Sequence, residues 1–231
     1  MLSALARSGC LRDAQQRGIQ QFFYFQVDNP LVQICDLELI GYHLLSESDM
    51  STQVVAKRDP ADKVGNVVSS DGRLMVIEYS DLPEAAGQQR HPDGSLRLWA
   101  GSIAIHVFRA DFLQQCLDAE ESLPFHRARK KVSYVDPKGQ RVSPERPNAT
   151  KFERFIFDLM PSARNAIVVE ADERDVFAPL KNASGASQDT PESCRRAIVD
   201  RARRWLEGAG VTVAPSVDVE IHPGLALDPD Q

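Results

Sequence analysis

No CxxC pair occurs in this 231-residue sequence, and no histidine stands at zinc-ligand spacing from a cysteine. The four cysteines, Cys10, Cys35, Cys116 and Cys194, lie far apart and read as reduced thiols of a cytosolic protein. No apolar run approaches the length of a membrane span. The opening stretch MLSALARSGCLRDAQQRG spaces its apolar residues like one helix face and lacks the long apolar core of a signal peptide. A cytoplasmic location is therefore expected, and Asn148-Ala-Thr150 and Asn182-Ala-Ser184 are read as chance matches to N-glycosylation. Basic charge is not in excess: the formal net charge is −6, which argues against a nucleic-acid partner. There is no GxSxG elbow, no P-loop and no histidine triad, and neither an internal repeat nor a low-complexity tract.

What is present fits an ordinary globular chain, with 42% hydrophobic and 26% charged residues. Its length suits one large domain, or one and a half smaller ones, and is enough to bury a core. The patterning predicts a helix over 1–17 ended by Gly18, a strand over 22–27 and a short helix over 35–45. A second apolar strand follows at 53–57. A hairpin over 67–79 turns at Asp71-Gly72, and Pro92, Asp93 and Gly94 mark a loop. A strand is expected at 103–108, a helix at 110–117, and a second hairpin turning at Asp136-Pro137-Lys138-Gly139. Phe152, Phe155, Ile156 and Leu159 follow helical spacing, so 151–160 reads as a helix with Asn148 as its cap. A strand at 166–170 precedes a helix opened by Thr190-Pro191 and stopped by Gly208 or Gly210. Strands alternating with helices, interrupted by two hairpins, predict an α/β domain with a mixed sheet.

The run FFYFQVDNPLVQICD, 22–36, raises the sharpest question. An almost wholly apolar strand, read as central and flanked by parallel neighbours, stops at Asp28-Asn29-Pro30. A carboxylate at the carboxyl edge of an open sheet can hold Mg²⁺, or it can simply form a turn. Lys181, between an apolar run and a Gly-containing loop, can reach a phosphate as a point charge, though a solvated lysine is the commoner case. Glu78 closes the strand LMVIEY and either binds a sugar hydroxyl or ends a hairpin edge. Lys151, read at a helix start where the dipole disfavours it, is weakly suggestive of an anion. The basic run His126–Lys131 is more often a solvated face than a polyphosphate site.

Seven blocks occur in order: FFYFQVDNPLV, VVAKRDPADKVGNVV, VIEYSDL, LWAGSIAIHVF, LPFHRARKKVSYVD, PNATKFERFIFD and FAPLKNASG. Together they resemble the eukaryotic-type UDP-sugar pyrophosphorylases, and most of all the UDP-N-acetylglucosamine pyrophosphorylases. The resemblance runs to about Gly210 and then takes in VDVEIHP. It implies a Rossmann-like nucleotide-diphospho-sugar transferase fold. It also implies uridylyl transfer from UTP to a sugar 1-phosphate with Mg²⁺, giving a UDP-sugar and pyrophosphate. Carried over by position, Asp28 matches the acidic residue beside metal and diphosphate, and Lys181 the lysine that neutralises the phosphates. Gly65 matches the glycine whose backbone lies against the sugar, Glu78 the carboxylate on the sugar hydroxyls, and Lys151 a further basic residue near the phosphates.

Two departures qualify the likeness. Ser102 stands where animal and fungal members carry an asparagine that helps bind the N-acetylhexosamine. N-acetylglucosamine 1-phosphate is favoured as substrate, with glucose 1-phosphate the other candidate. The family's glycine-rich loop that grips UTP has no match here, so the fold is expected to be incomplete. On this reading 1–210 form the central and later part of the catalytic domain, and 211–231 begin a truncated C-terminal segment. The competing readings are a sugar-nucleotide-binding remnant without catalysis and a structural protein that keeps only the fold. A poorly soluble or inactive isolated chain is expected from an unpaired apolar edge.

Overall fold

The computed structural model describes residues 1–119 and 123–229. The helices of the first half are α1 (Leu2–Arg7), α2 (Cys10–Gln16), α3 (Leu37–Leu45), α4 (Glu84–Gly87) and α5 (Ala110–Asp118). The strands there are β1 (Gln21–Tyr24), β2 (Met50–Ala56), β3 (Gly65–Ser70), β4 (Arg73–Ile77) and β5 (Ala100–Arg109). The second half adds β6 (His126–Lys130), β7 (Tyr134–Val135), β8 (Arg141–Val142), β9 (Ala149–Glu153) and β10 (Ala166–Glu170). A 3₁₀ turn at Ile156–Ser162 precedes β10, and α6 (Glu173–Val176) and α7 (Pro191–Gly208) follow it.

Six strands form one mixed sheet in the order β10-β2-β5-β3-β4, with β1 also on β5. β5 organises it: β2 runs antiparallel along one edge, while β1 and β3 share the other edge end to end. Only β10 and β2 pair in parallel among these strands. Side chains alternate across the pleat, so the sheet buries two faces. On one, Met50, Val54, Phe108, Phe22 and Tyr24 pack with Leu113 of α5 and with Ile156, Leu159 and Met160 of the 3₁₀ turn. On the other, Val55, Ile105, Val107, Phe23 and Phe25 pack with Leu39 of α3 and Val176 of α6. This is the α/β architecture with a mixed sheet that the patterning predicts.

The run at 22–27 departs from expectation. β1 covers only Gln21–Tyr24, pairs antiparallel with β5, and lies on an edge rather than at the centre. Val27 is 95% exposed. The apolar run correctly reports two covered faces; it carries no information about edges, because hydrogen-bonded neighbours lie in the plane of the sheet and the faces do not.

Two further elements and one cap differ. The helix read over 1–17 is two, broken at Gly9, whose φ of 80° is left-handed. The helix read over 151–160 is a strand followed by the 3₁₀ turn: β9 pairs with β6, Lys151 opposite Ala128. Asn148 caps no helix; its side chain accepts from the N–H of Val132 and donates to its carbonyl, at 2.8 and 3.0 Å. The β6–β9 ladder and the β7–β8 pair form one hairpin arm outside the main sheet. The other elements fall as expected: Asp71 and Gly72 both have positive φ, 51° and 76°, as a tight hairpin turn requires. Thr190 caps α7 in a reciprocal pair with Ser193, with Pro191 at the first position.

Candidate functional site

The question raised by Asp28-Asn29-Pro30 is answered first by Asn29. Its side chain is buried, donates from Nδ2 to the Val176 carbonyl at 2.7 Å, and accepts through Oδ1 from the N–H groups of Leu31 and Ala178 at 3.3 and 3.1 Å. Next to it, Leu180 N–H donates to the Asp28 carbonyl at 2.8 Å. The loop after β1 is thus bracketed to the segment leading to Lys181. Lys181 and Asn182 N–H both donate to the Asp189 carbonyl, at 2.9 and 2.8 Å, which closes the following loop onto the start of α7. Asp28 and Lys181 therefore come to one edge of the domain. Asp28 is half-buried and lines a groove of about 740 Å³ with Leu180, Cys194, Arg195, Asp218 and Glu220. Lys181 is exposed and lines a smaller cavity of about 100 Å³ with Lys57, Lys63, Glu173 and Asp189.

Gly65 and Ser102 face each other across β3 and β5. A Cβ at Gly65 would stand 2.6 Å from Val76 Cγ1, so the glycine has a packing requirement of its own. Just beyond Ser102 the β2–β5 register shifts, and Ala104 takes a φ of 57°. A bulge of this kind re-aims neighbouring side chains and is strained for a residue with a Cβ. Ser102 is buried beside it, its Oγ facing Ala104 N–H at 3.5 Å. Lys57, also buried, donates to Asn66 Oδ1 at 2.7 Å and holds the start of β3 in place. Burial lowers its pKa against the pull of Asp62 and Asp59.

Glu78 follows β4 and is half-buried. Burial, helped by Asp81 and Glu153, raises its carboxyl pKa, while His126 and Lys181 pull it down. Glu78 thus lies within electrostatic reach of Lys181 and of the hairpin arm. His126, the first residue of that arm, sits between two carboxylates: Nδ1 is 2.7 Å from Asp81 Oδ2 and Nε2 is 3.0 Å from Asp158 Oδ2. Its ring lies against Phe155, itself stacked on Phe157 at 4.8 Å. Within the basic run this imidazole is the partly buried member; Arg127, Arg129 and Lys130 are exposed, as a solvated face would have them. Lys151 is exposed on β9, its Nζ 2.7 Å from Glu153 Oε1. No helix dipole acts on it, and its ammonium pairs with that carboxylate rather than with the Asp28–Lys181 edge. The bridging contacts of Asn29 and His126 have no local sequence signal, since their partners lie 147 residues (Val176), and 45 and 32 residues (Asp81 and Asp158), away in the chain.

Among the described residues no group of three His, Cys, Asp or Glu side chains gathers to cage a metal. Asp28 offers a hard oxygen ligand of the type Mg²⁺ takes, an ion that keeps its waters and shares phosphate oxygens with one or two carboxylates. Among the described residues, no helix is long and apolar enough to cross a membrane.

Comparison with known proteins agrees with this architecture. Residues 1–202 match the UTP–glucose-1-phosphate uridylyltransferase family, and the chain belongs to that family. It is 39% identical over 208 residues to a UDP-N-acetylhexosamine pyrophosphorylase-like protein 1 of Xenopus tropicalis, a match covering 90% of this chain and 41% of that one. It is 35% identical over 218 residues to the UDP-N-acetylglucosamine pyrophosphorylase of Saccharomyces cerevisiae, covering 93% and 46%. The chain thus spans less than half the length of these relatives. In structure it resembles a protein assigned as UDP-N-acetylglucosamine pyrophosphorylase in Entamoeba histolytica, with a TM-score of 0.88 at 29% identity over 99% of this chain and 57% of the other. The fold is that of the UDP-sugar pyrophosphorylases.

Proposed function

We propose that the chain supplies the sugar side of a uridylyltransferase site that joins UTP and a sugar 1-phosphate into a UDP-sugar and pyrophosphate. N-acetylglucosamine 1-phosphate is the favoured acceptor. The observation that carries this reading is the joining of the Asp28 and Lys181 loops through Asn29, in a chain whose relatives include named UDP-N-acetylglucosamine pyrophosphorylases. In the reaction a phosphate oxygen of the sugar 1-phosphate attacks the α-phosphorus of UTP in line. The bond to the bridging oxygen breaks, and pyrophosphate leaves with the electron pair. Such a reaction needs position and charge neutralisation more than covalent chemistry.

Lys181 is assigned to neutralise phosphate charge as a mobile point charge. Asp28 is assigned to hold Mg²⁺, which when bound would offset charge on the phosphates. Glu78 would accept from sugar hydroxyls, and the Gly65 backbone and Ser102 would border the sugar. Lys151 is retained as an outer basic residue, released from Glu153 when phosphate is near. The reaction belongs to cytoplasmic sugar-nucleotide metabolism.

Calorimetric titration of the chain with UDP-N-acetylglucosamine and UDP-glucose, with and without Mg²⁺, tests this reading. Uridylyl transfer is then assayed on the same protein. Saturable binding with turnover supports the enzyme, and binding without turnover leaves a sugar-nucleotide-binding module. No binding of either nucleotide sugar refutes the assignment.

A further inference from the structure

We propose that His126 is a positioning residue for the sugar pocket, tying the turn that carries Glu78 to the 3₁₀ turn and to the base of the hairpin arm. The proposal rests on the reading of Glu78 as the sugar-hydroxyl ligand. Its basis is geometric. The Glu78 carbonyl accepts from Asp81 N–H and Leu82 N–H, at 2.9 and 3.1 Å, so Asp81 cannot move without moving Glu78. Asp81 reaches His126 Nδ1, and Asp158 of the 3₁₀ turn reaches Nε2. Three segments of chain thus meet on one ring, which is packed against Phe155 at 4.9 Å and near Phe157 at 6.4 Å.

A neutral imidazole has one N–H, so one of its two contacts would set a lone pair against a carboxylate oxygen. Only the imidazolium donates to both, and charge-assisted bonds of this kind are the stronger ones. Burial works against that charge, but the bonds to Asp81 and Asp158 outweigh it and raise the ring's pKa above 6.5. The groups facing the cluster are Glu78 and Asp81 from the turn after β4, Glu153 of β9 with its partner Lys151, and Asp158; Lys181 adds its field at Glu78. Asp158 is 12% exposed and Asp81 44%, so solvent screens the Asp81 contact more and Asp158 is the firmer anchor. The charged ring therefore locks the Glu78 turn, and loss of its proton releases one of the two carboxylates.

The test follows the His126 ring and the Glu78 and Tyr79 amides by NMR in the labelled chain, while UDP-N-acetylglucosamine affinity is measured over the same range, about pH 6 to about pH 9. The Glu78 and Tyr79 signals are expected to move with the midpoint of the His126 ring, above that of a free histidine. UDP-N-acetylglucosamine should bind more weakly as pH rises through that midpoint. His126→Gln should bind about tenfold more weakly at the acid end, with a flat pH profile. Asp158→Asn should lower the ring midpoint and move the binding midpoint with it. The proposal is overturned if the Glu78 and Tyr79 amides ignore the His126 titration, or if folded His126→Gln keeps the wild-type profile. A chain that binds no nucleotide sugar at any pH refutes the role given to Glu78, while the coupled titration still decides whether His126 governs that turn.

Discussion

Asn29 donates from Nδ2 to the carbonyl of Val176 at 2.7 Å, joining residues 147 apart in the chain. The bond explains the abrupt polar end of the run that begins at Phe22. A buried carbonyl and two N–H groups need partners where β1 leaves the sheet, and one amide side chain serves all three. An aspartate could not, because it has no N–H to give.

Asn29→Ala should destabilise the chain by about 1–3 kcal/mol, the cost of leaving the buried groups unpaired. Urea unfolding measures this. Amide exchange should quicken at Ala178 and Leu180 well below the global unfolding threshold, because the bracket is local. Unchanged exchange at both residues would mean that the Lys181 loop is held by other contacts.

Lys181→Ala and Asp28→Asn should leave stability nearly unchanged, since one side chain is exposed and the other half-buried. If the proposed roles hold, each should cost about a hundredfold or more in transfer, the usual scale for removing one group that stabilises developing charge. Lys181→Arg should recover only part of that, its fork being a different shape from a point charge. Lys151→Ala should have a much smaller effect, because its ammonium already has Glu153 as partner. A Lys151 defect equal to that of Lys181 would contradict this ranking.

What could be read in the sequence follows the range of the interaction. The Asp71-Gly72 turn and the Thr190-Pro191 cap are settled by neighbours within three residues, and the chain carries their chemistry openly. The segment 151–160 does not. Phe152, Phe155, Ile156 and Leu159 satisfy a helical period, yet Phe152 points away from the core and meets Phe125 edge-on at 5.8 Å, while Ile156 and Leu159 are buried. The pairing of β9 with β6, from more than twenty residues away, overrides the local period. At the candidate site, Asp28, Lys181, Gly65 and Glu78 are proposed from residue type and motif. Asn29, Asp81 and Asp158 act through partners that no local pattern names.

Stability should fall as acid is added, well before most carboxylates titrate. His43 is buried between Ser51 and Gln21, and burial with nearby Arg109 lowers its pKa to about 4. His106 is wholly buried, bonded to Thr52 through Nδ1 with Nε2 unpartnered among the described residues, and burial alone takes it to about 3. Both pKa values are depressed in the folded state, so both histidines charge more readily when unfolded. Their stabilisation is present above pH 6.5 and is lost as pH falls toward 4. The two together account for on the order of 5 kcal/mol by about pH 4.5. Raised carboxyls at Glu78, Asp158 and Glu173 work in the opposite direction and offset part of it. His126 adds no slope there, because its bonus is complete below pH 6.5. Urea midpoints at pH 7 and about pH 4.5 measure the loss. Thr52→Val with His106→Leu, which removes both polar partners together, should roughly halve it; an undiminished loss would show that His106 is not a source.

Gly65 offers the cleanest separation of packing from function. A methyl there would stand 2.6 Å from Val76 Cγ1, closer than carbon atoms approach. Gly65→Ala should therefore cost about 1–3 kcal/mol through overpacking. Val76→Ala removes the obstructing methyls and leaves a gap in the same place, at a cost of its own. The two changes touch one volume, so the double variant should be more stable than the sum of the single losses by about 1 kcal/mol or more. Denaturant midpoints of the four proteins close the cycle. The double variant then tests the glycine's second role. With packing restored, a remaining loss of UDP-N-acetylglucosamine affinity must come from the methyl on the β3 side of Ser102, where the sugar is proposed to lie. Full recovery of affinity together with stability would make Gly65 a packing residue only and move the sugar away from β3.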